Sequence, residues 1–326
     1  MRISTWLLAA LIFVTAPAAM TAEFDAAQLS AVVKVGVKVS GDARSAATLG
    51  TEREGSGVLI DGEGLVLTIG YLILEAEETM LELADGRNIP AQAIAYDHES
   101  GFGLLRAAKP LGVKPMALGD SRALRERDPV LVAGHGGKDA AAPAYVVSRR
   151  EFAGPWEYLL EDAVFTAPAY SNFGGAALIG IDGRLVGIGS LIVPDAVRPG
   201  VALPGNMFVP VEKLTPILAD LLANGRNSGP RHPWIGLRSD EYRGHLFVAG
   251  VTPGAPAARA GLKRGDLLIG VGGKPVTGMS DFYRKLWGTG GAGVIVPIQI
   301  LDGMTVREVP VKSIDRYDWF KSGTTY

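Results

Sequence analysis

Residues 55–68 read Gly-Ser-Gly-Val-Leu-Ile-Asp-Gly-Glu-Gly-Leu-Val-Leu-Thr, two apolar runs held apart by an Asp-Gly pair at Asp61 and Gly62. Asp-Gly favours the positive φ angles of a tight hairpin turn, so the stretch predicts two antiparallel strands. The pair recurs at 85–86, 182–183 and 302–303, each time between apolar or alternating segments such as Leu81-Glu82-Leu83 and Arg87-Asn88-Ile89. A hairpin signal spread along the whole chain predicts an all-β protein. Three stretches depart from it with helical spacing. The first runs from Val211 to Ala223, with Leu214, Ile217, Leu218, Leu221 and Leu222 on one face and Gly225 as a stop. The second is short, Pro256 to Ala260, with Pro in a tolerated first turn. The third opens on Ser280 as a cap, repeats Phe282, Tyr283 and Leu286, and ends at Gly288.

Composition narrows what such a protein can do. Of 326 residues, 48% are hydrophobic and 20% charged, a globular balance that excludes disorder throughout. Lys and Arg total 32 against 34 for Asp and Glu, and no basic run tracks a phosphate backbone, so nucleic acid is not an expected partner. The absence of Cys excludes disulfides, thiolate nucleophiles, Cys-based zinc sites and iron–sulfur ligands. His98, His135, His232 and His245 lie at no metal-ligand spacing, so neither a metal nor a cofactor is expected.

Arg2 precedes an apolar run from Trp6 to Ala16, followed by the small residues Ala18, Ala19 and Ala22. That is the shape of a secretory signal peptide, and the small-x-small rule puts its end at Ala18. Leu7 to Ala16 is about half the ~20 residues that cross a bilayer, and Pro17 interrupts it, so no integral membrane segment is expected after processing. Residues 224–231, Asn-Gly-Arg-Asn-Ser-Gly-Pro-Arg, have the composition of a linker. The chain then divides into a signal peptide (1–18), a pair of β-barrels closed by a helix (19–223), the linker (224–231), a compact β module with small helices (232–314) and a tail (315–326).

Gly55 to Asp61 and Gly64 to Thr68 resemble the opening strands of the trypsin-like domain of the HtrA (DegP) family of exported serine proteases. Leu83 to Arg87, Leu118 to Ser121, and the series Asn172, Gly174-Gly175, Leu178, Asp182-Gly183 follow in the family's order. Trp234 to Leu237, Val251 to Gly254, Ala257-Ala258, Ala260 to Leu262, Gly265-Asp266 and Val271 resemble the circularly permuted PDZ module that such proteases carry. The resemblance implies a trypsin-like double β-barrel followed by a PDZ module, in a periplasmic protein.

The family's catalytic residues do not carry over. Where the resemblance implies a His after the second strand, Thr68-Ile69-Gly70-Tyr71 leaves Tyr71; where it implies Asp, Ser100-Gly101-Phe102-Gly103 leaves Gly101. In place of the nucleophile, Ser171-Asn172-Phe173-Gly174-Gly175-Ala176 leaves Phe173. A hydroxyl nucleophile needs a base poised near neutral pH and an acid to orient it. Phe173 has no nucleophile, Gly101 orients nothing, and a phenol of pKa about 10 is ionised in about one molecule in a thousand at pH 7. Ser171 also stands where the family has the Gly that shapes the oxyanion loop. Ser171 and His135 are expected to serve turns, His98 to be a solvated loop residue, and Phe173 to plug the vacated pocket for about 2 kcal/mol of burial.

The PDZ resemblance leaves a site that needs no such chemistry. It implies that Trp234, Ile235, Gly236 and Leu237 turn backbone amides toward a peptide's terminal carboxylate while the next strand pairs with its backbone. Phe282 and Leu286 line the opposite wall or face the module's own core. The expected function is noncatalytic binding of polypeptide segments or protein C-termini by a pseudoprotease acting as scaffold, chaperone or regulator. Two alternatives stay open: a serine-type endopeptidase with an atypical residue set, and a subunit that joins an active homologue. A homo-oligomer or hetero-oligomer is compatible with each. The tail concentrates Tyr317, Trp319, Phe320 and Tyr326 and ends Thr324-Thr325-Tyr326, similar to one class of PDZ ligand. It is expected either to enter its own groove or to pack its aromatics on the module or another protein.

Overall fold

The computed structural model describes residues 26–320, so the expected signal peptide and residues 321–326 lie outside the described residues. Six antiparallel strands close a first barrel: β1 (Val32–Val39), β2 (Glu52–Leu59), β3 (Leu65–Ile69), β4 (Ala76–Glu82), β5 (Asn88–Tyr96) and β6 (Phe102–Ala107), in spatial order β1-β2-β3-β6-β5-β4. A second barrel follows from β7 (Pro129–Ala133), β8 (Ala141–Gly154), β9 (Tyr158–Ala167), β10 (Ala177–Ile179), β11 (Leu185–Val193) and β12 (Gly205–Pro210), in order β10-β11-β12-β9-β8-β7. One apolar cluster runs through both, from Val35, Leu67 and Phe102 to Phe165 and Met207. The C-terminal sheet holds β13 (Leu237–Tyr242), β14 (His245–Val251), β15 (Leu267–Val271), β16 (Lys274–Pro275), β17 (Ile295–Asp302) and β18 (Thr305–Lys312), ordered β13-β14-β15-β17-β18 with β16 on β15. Its own core is separate and centres on Phe282, Leu286, Val296 and Ile298.

Each Asp-Gly pair sits in a hairpin connection: β2 to β3, β4 to β5, β10 to β11 and β17 to β18. Gly86, Gly183 and Gly303 take the positive φ the pair favours, but in the first turn that role passes from Gly62 to Gly64. There the Asp61 carboxylate accepts from the amides of Glu63 and Leu65, at 2.9 and 2.7 Å, and fixes a longer loop.

The helices are shorter and differently begun than their spacing predicts. Pro216 lacks an amide and disfavours helix in the residue before it, so the first stretch splits into a 3₁₀ turn, Val211–Lys213, and a helix, Leu218–Asn224. Leu214 and Leu221 are buried, whereas Leu222 is exposed. The second is Pro256–Arg259. The third, Met279–Trp287, starts before Ser280, and its cap is the Glu241 carboxylate, which accepts from the Met279 amide.

The barrels meet along a seam where side chains have no room. A Cβ on Gly175, at φ 75°, would overlap the Ser56 carbonyl, and, within the first barrel, one on Gly70 would enter the Tyr96 ring. On Gly55 it would stand 2.7 Å from the Gly174 carbonyl.

Candidate functional site

Two places carry the expectations drawn from sequence: the barrel seam and the loop that opens the C-terminal module. At the seam, Tyr71 lies in the one-turn helix Gly70–Ile73 that follows β3. Its hydroxyl crosses to the second barrel and donates to the Ser190 carbonyl on β11 at 3.0 Å. Burial pushes the phenol well above its ordinary value, so it stays protonated. Gly101, at φ 83°, turns the chain into β6, and its carbonyl accepts from the Gly70 amide at 2.7 Å. Gly174, next to Phe173, packs so close that a Cβ on it would sit 3.0 Å from the Tyr71 hydroxyl. The fold thus brings positions 71, 101 and 173 to one neighbourhood, where the side chains present are a protonated phenol, none, and a phenyl ring.

The neighbouring residues add no alternative set. Ser171 is exposed in a turn. Phe173 is half-buried and joins none of the apolar clusters among the described residues, so it is not the plug expected, and its burial gain falls short of a full side chain's. Ser56 Oγ lies 3.3 Å from His135 Nδ1, but Ser56 is buried and its oxygen already accepts from the His135 amide at 3.0 Å. His98 is not solvated. It is buried against Tyr96 and Tyr317, each with ring centroids 4.4 Å away, and burial together with Arg316 holds it well below the usual imidazole range.

In the module, the loop amides do converge on a carboxyl group, and the group belongs to the chain itself. Ile235 and Leu237 donate to Glu157 Oε2 and Oε1, at 3.1 and 2.7 Å. Gly236 between them takes φ 74°, where a Cβ would collide with Ala255, and its amide also acts on Glu157. Trp234 does not take part: its amide and carbonyl both pair with Ile314, at 2.9 and 3.0 Å, and its ring packs on Trp319. Phe282 and Leu286 are fully buried in the module's core, with Ala153 and Leu159 of the second barrel packed at its margin.

Glu157 sits in the turn between β8 and β9, and that turn is held on every side. Its neighbour Pro155 accepts from the Ser239 amide of β13 at 3.0 Å. The Tyr283 hydroxyl donates to the Gly154 carbonyl at 2.7 Å and accepts from the Glu157 amide at 3.2 Å. Arg316 donates to the Glu157 carbonyl at 3.2 Å, and Arg284 pairs with Glu151. Burial pushes the Glu157 carboxyl up to about 7, against the pull of the Leu237, Ile235 and Gly236 amides and of Arg316. Sequence reasoning missed Glu157, Tyr283 and Arg316; the only local signal was the turn chemistry of Gly154-Pro155.

Beside this contact lies a crevice of about 440 Å³ between the domains, lined by Asp97, Glu99, Arg231, His232, Arg316 and Tyr317 among others. Glu99, raised to about 7 by burial and the Asp97 charge, faces His232 Nε2 at 3.3 Å. Of the tail aromatics Tyr317 lines the crevice, its hydroxyl 3.3 Å from Asp97; Phe320 stacks on His98, and the Arg44 guanidinium lies 4.0 Å over the Trp319 ring. The described part of the tail packs chiefly on the first barrel, at Asp97, His98 and Arg44, a surface not among those expected, with only Trp319 reaching Trp234 of the module, and the ending Thr324-Thr325-Tyr326 lies outside the described residues.

Comparison with known proteins agrees with this architecture. A family profile described as a trypsin-like peptidase domain matches residues 55–188, and one described as a PDZ domain matches residues 247–299. The periplasmic serine endoprotease DegP of Escherichia coli K12 is 30% identical over 271 residues, 78% of this chain and 55% of that protein. The periplasmic pH-dependent serine endoprotease DegQ of the same organism is 29% identical over 250 residues, 71% of this chain and 53% of that protein. The chain thus spans about half the length of the curated relatives it matches. The solved structure of the HtrA-type protease AlgW with a decapeptide covers 90% of this chain and 99% of that one, with a TM-score of 0.52 at 21% identity, and shares its fold. The chain therefore carries a trypsin-like domain joined to a PDZ domain, an arrangement similar to that of the HtrA/DegP proteases it matches.

Proposed function

We propose that this chain is an exported, noncatalytic HtrA-like protein that binds polypeptide segments or C-termini through its PDZ module and acts as scaffold, chaperone or regulator. The relatives it matches are named as serine endoproteases, so the reading rests on what replaces their chemistry here. The observation that carries it is Tyr71: its hydroxyl is a hydrogen-bond donor to Ser190, and burial keeps its proton on, at the position where acyl transfer needs a proton acceptor. With Phe173 unable to be acylated, polypeptide recognition is what the two domains retain. Export is supported by the N-terminal signal and by the periplasmic relatives. Among the described residues no helix is long and apolar enough to cross a membrane. Assembly with itself, or with an active relative that it regulates, belongs to the same reading.

A fluorophosphonate probe tests it. The folded chain is expected to remain unlabelled and to leave unfolded casein intact. Stoichiometric labelling lost on denaturation, and abolished by Ser171→Ala or Ser56→Ala, establishes a peptidase with an atypical residue set and overturns the proposal.

A further inference from the structure

A PDZ groove holds a peptide in three ways: loop amides receive the terminal carboxylate, an edge strand pairs with the peptide backbone, and a helix walls the other side. All three are already engaged here by one turn of the trypsin-like domain. The loop receives the Glu157 carboxyl group at Ile235 and Leu237. The edge strand β13 gives its Ser239 amide to the Pro155 carbonyl, the ladder bond an added strand would take. From the helix Met279–Trp287, Tyr283 grips the Gly154 carbonyl and the Glu157 amide, and Arg284 pairs with Glu151. Glu157 adopts a positive φ, 57°, a left-handed backbone that a non-glycine residue takes only under strain, and its carboxyl group meets the loop.

On the reading that the module binds polypeptides, we infer that the Gly154-to-Tyr158 turn is its built-in ligand, with the Glu157 side chain standing where a peptide's terminal carboxylate would stand. An external polypeptide with a free C-terminus then binds only by displacing this turn. Because the turn is tethered, it competes at an effective concentration of order millimolar, above the level of most free peptides. The occupied groove also couples ligand capture to the second barrel, since β8 and β9 are the strands the turn joins.

The test uses the full chain, as wild type, Glu157→Ala and Glu157→Gln, with a fluorescent decapeptide pool of randomised final residues in free-acid and amidated forms. Circular dichroism confirms that each variant is folded. Glu157→Ala is expected to bind the free-acid pool at least tenfold more tightly than wild type, Glu157→Gln to fall between, and the amidated pool to bind none of them better. In Glu157→Ala without peptide, the Ile235 and Leu237 amides are expected to exchange at least tenfold faster. Equal affinity in wild type and Glu157→Ala overturns the inference, as does unchanged exchange at both amides. Faster exchange without free-acid peptide binding by any of the three chains upholds the internal contact but refutes both competition and the peptide-binding reading on which it rests.

Discussion

Replacing Tyr283 by Phe removes one oxygen from the contact between the domains and little else. The ring is fully buried, packed between Phe282 and Trp287 at centroid distances of 5.7 and 5.6 Å, and Phe fills the same space. The lost hydroxyl donates to the Gly154 carbonyl at 2.7 Å, accepts from the Glu157 amide at 3.2 Å and shares a 2.9 Å hydrogen bond with Ser239 Oγ. A buried donor or acceptor left without its partner costs about 1–3 kcal/mol. With the Gly154 carbonyl and the Glu157 amide both stranded, the docked arrangement should weaken by roughly 2–6 kcal/mol. Undocking returns both groups to water, so the penalty cannot exceed the free energy of docking, and the variant is expected to undock before it unfolds. The Ser239 amide reports this, because its partner, the Pro155 carbonyl, lies across the contact. At about 1.4 kcal/mol per factor of ten, its native-state protection should fall about 30-fold or more while the β17–β18 ladder keeps its protection. Unchanged protection at Ser239 refutes the argument, and so does an equal loss along β17 and β18.

Phe173→Ser alone is expected to give no fluorophosphonate labelling, because Tyr71 still donates to Ser190 and no orienting acid is present. Adding Gly101→Asp should lower stability by about 1–2 kcal/mol in a urea titration, since the position holds φ 83° and a new Cβ would meet the Tyr158 hydroxyl at 3.4 Å; an unchanged midpoint contradicts this. For Glu157, burial raises the folded value to about 7 from 4.5, so the folded chain binds this proton more tightly than the unfolded chain. Its contribution to stability is therefore full below about 4.5 and lost as pH rises through 7, with Arg316 the charge opposing the shift. Wild type should lose up to about 3 kcal/mol relative to Glu157→Gln between pH 4.5 and 8, and a difference that is flat or rises with pH rules out a carboxyl group raised by burial.

The hairpins at Gly86, Gly183 and Gly303 were legible because turn chemistry is local: one dipeptide sets the backbone, and the flanking alternation sets the faces. The barrels and the PDZ module followed from short motifs in a fixed order. What failed was non-local. The cover of His98 comes from Tyr317 and Phe320 at the far end of the chain, so nothing near position 98 announces burial. The cap of the helix Met279–Trp287 comes from Glu241 on β13, which outcompetes the Ser280 that local propensity favours. Glu157 reaches amides 78 and 80 residues away, and neither periodicity nor composition encodes such a pairing. The loop Ile235 to Leu237 could be located from sequence, but its occupant could not. Trp234 was misassigned because a loop motif does not reveal that its first amide is taken by Ile314.

The tight glycines separate a demand of folding from a demand of chemistry. Gly175 is fixed by a clash with the Ser56 carbonyl and Gly70 by a clash with the Tyr96 ring, whatever the chain does chemically. Positions 71 and 173 hold a phenol and a phenyl ring within the same two closed barrels. Folding alone is enough to require these glycines, so their presence carries no information about catalysis. The two-barrel framework is held by steric demands of its own, and those demands are the same whatever chemistry the chain performs.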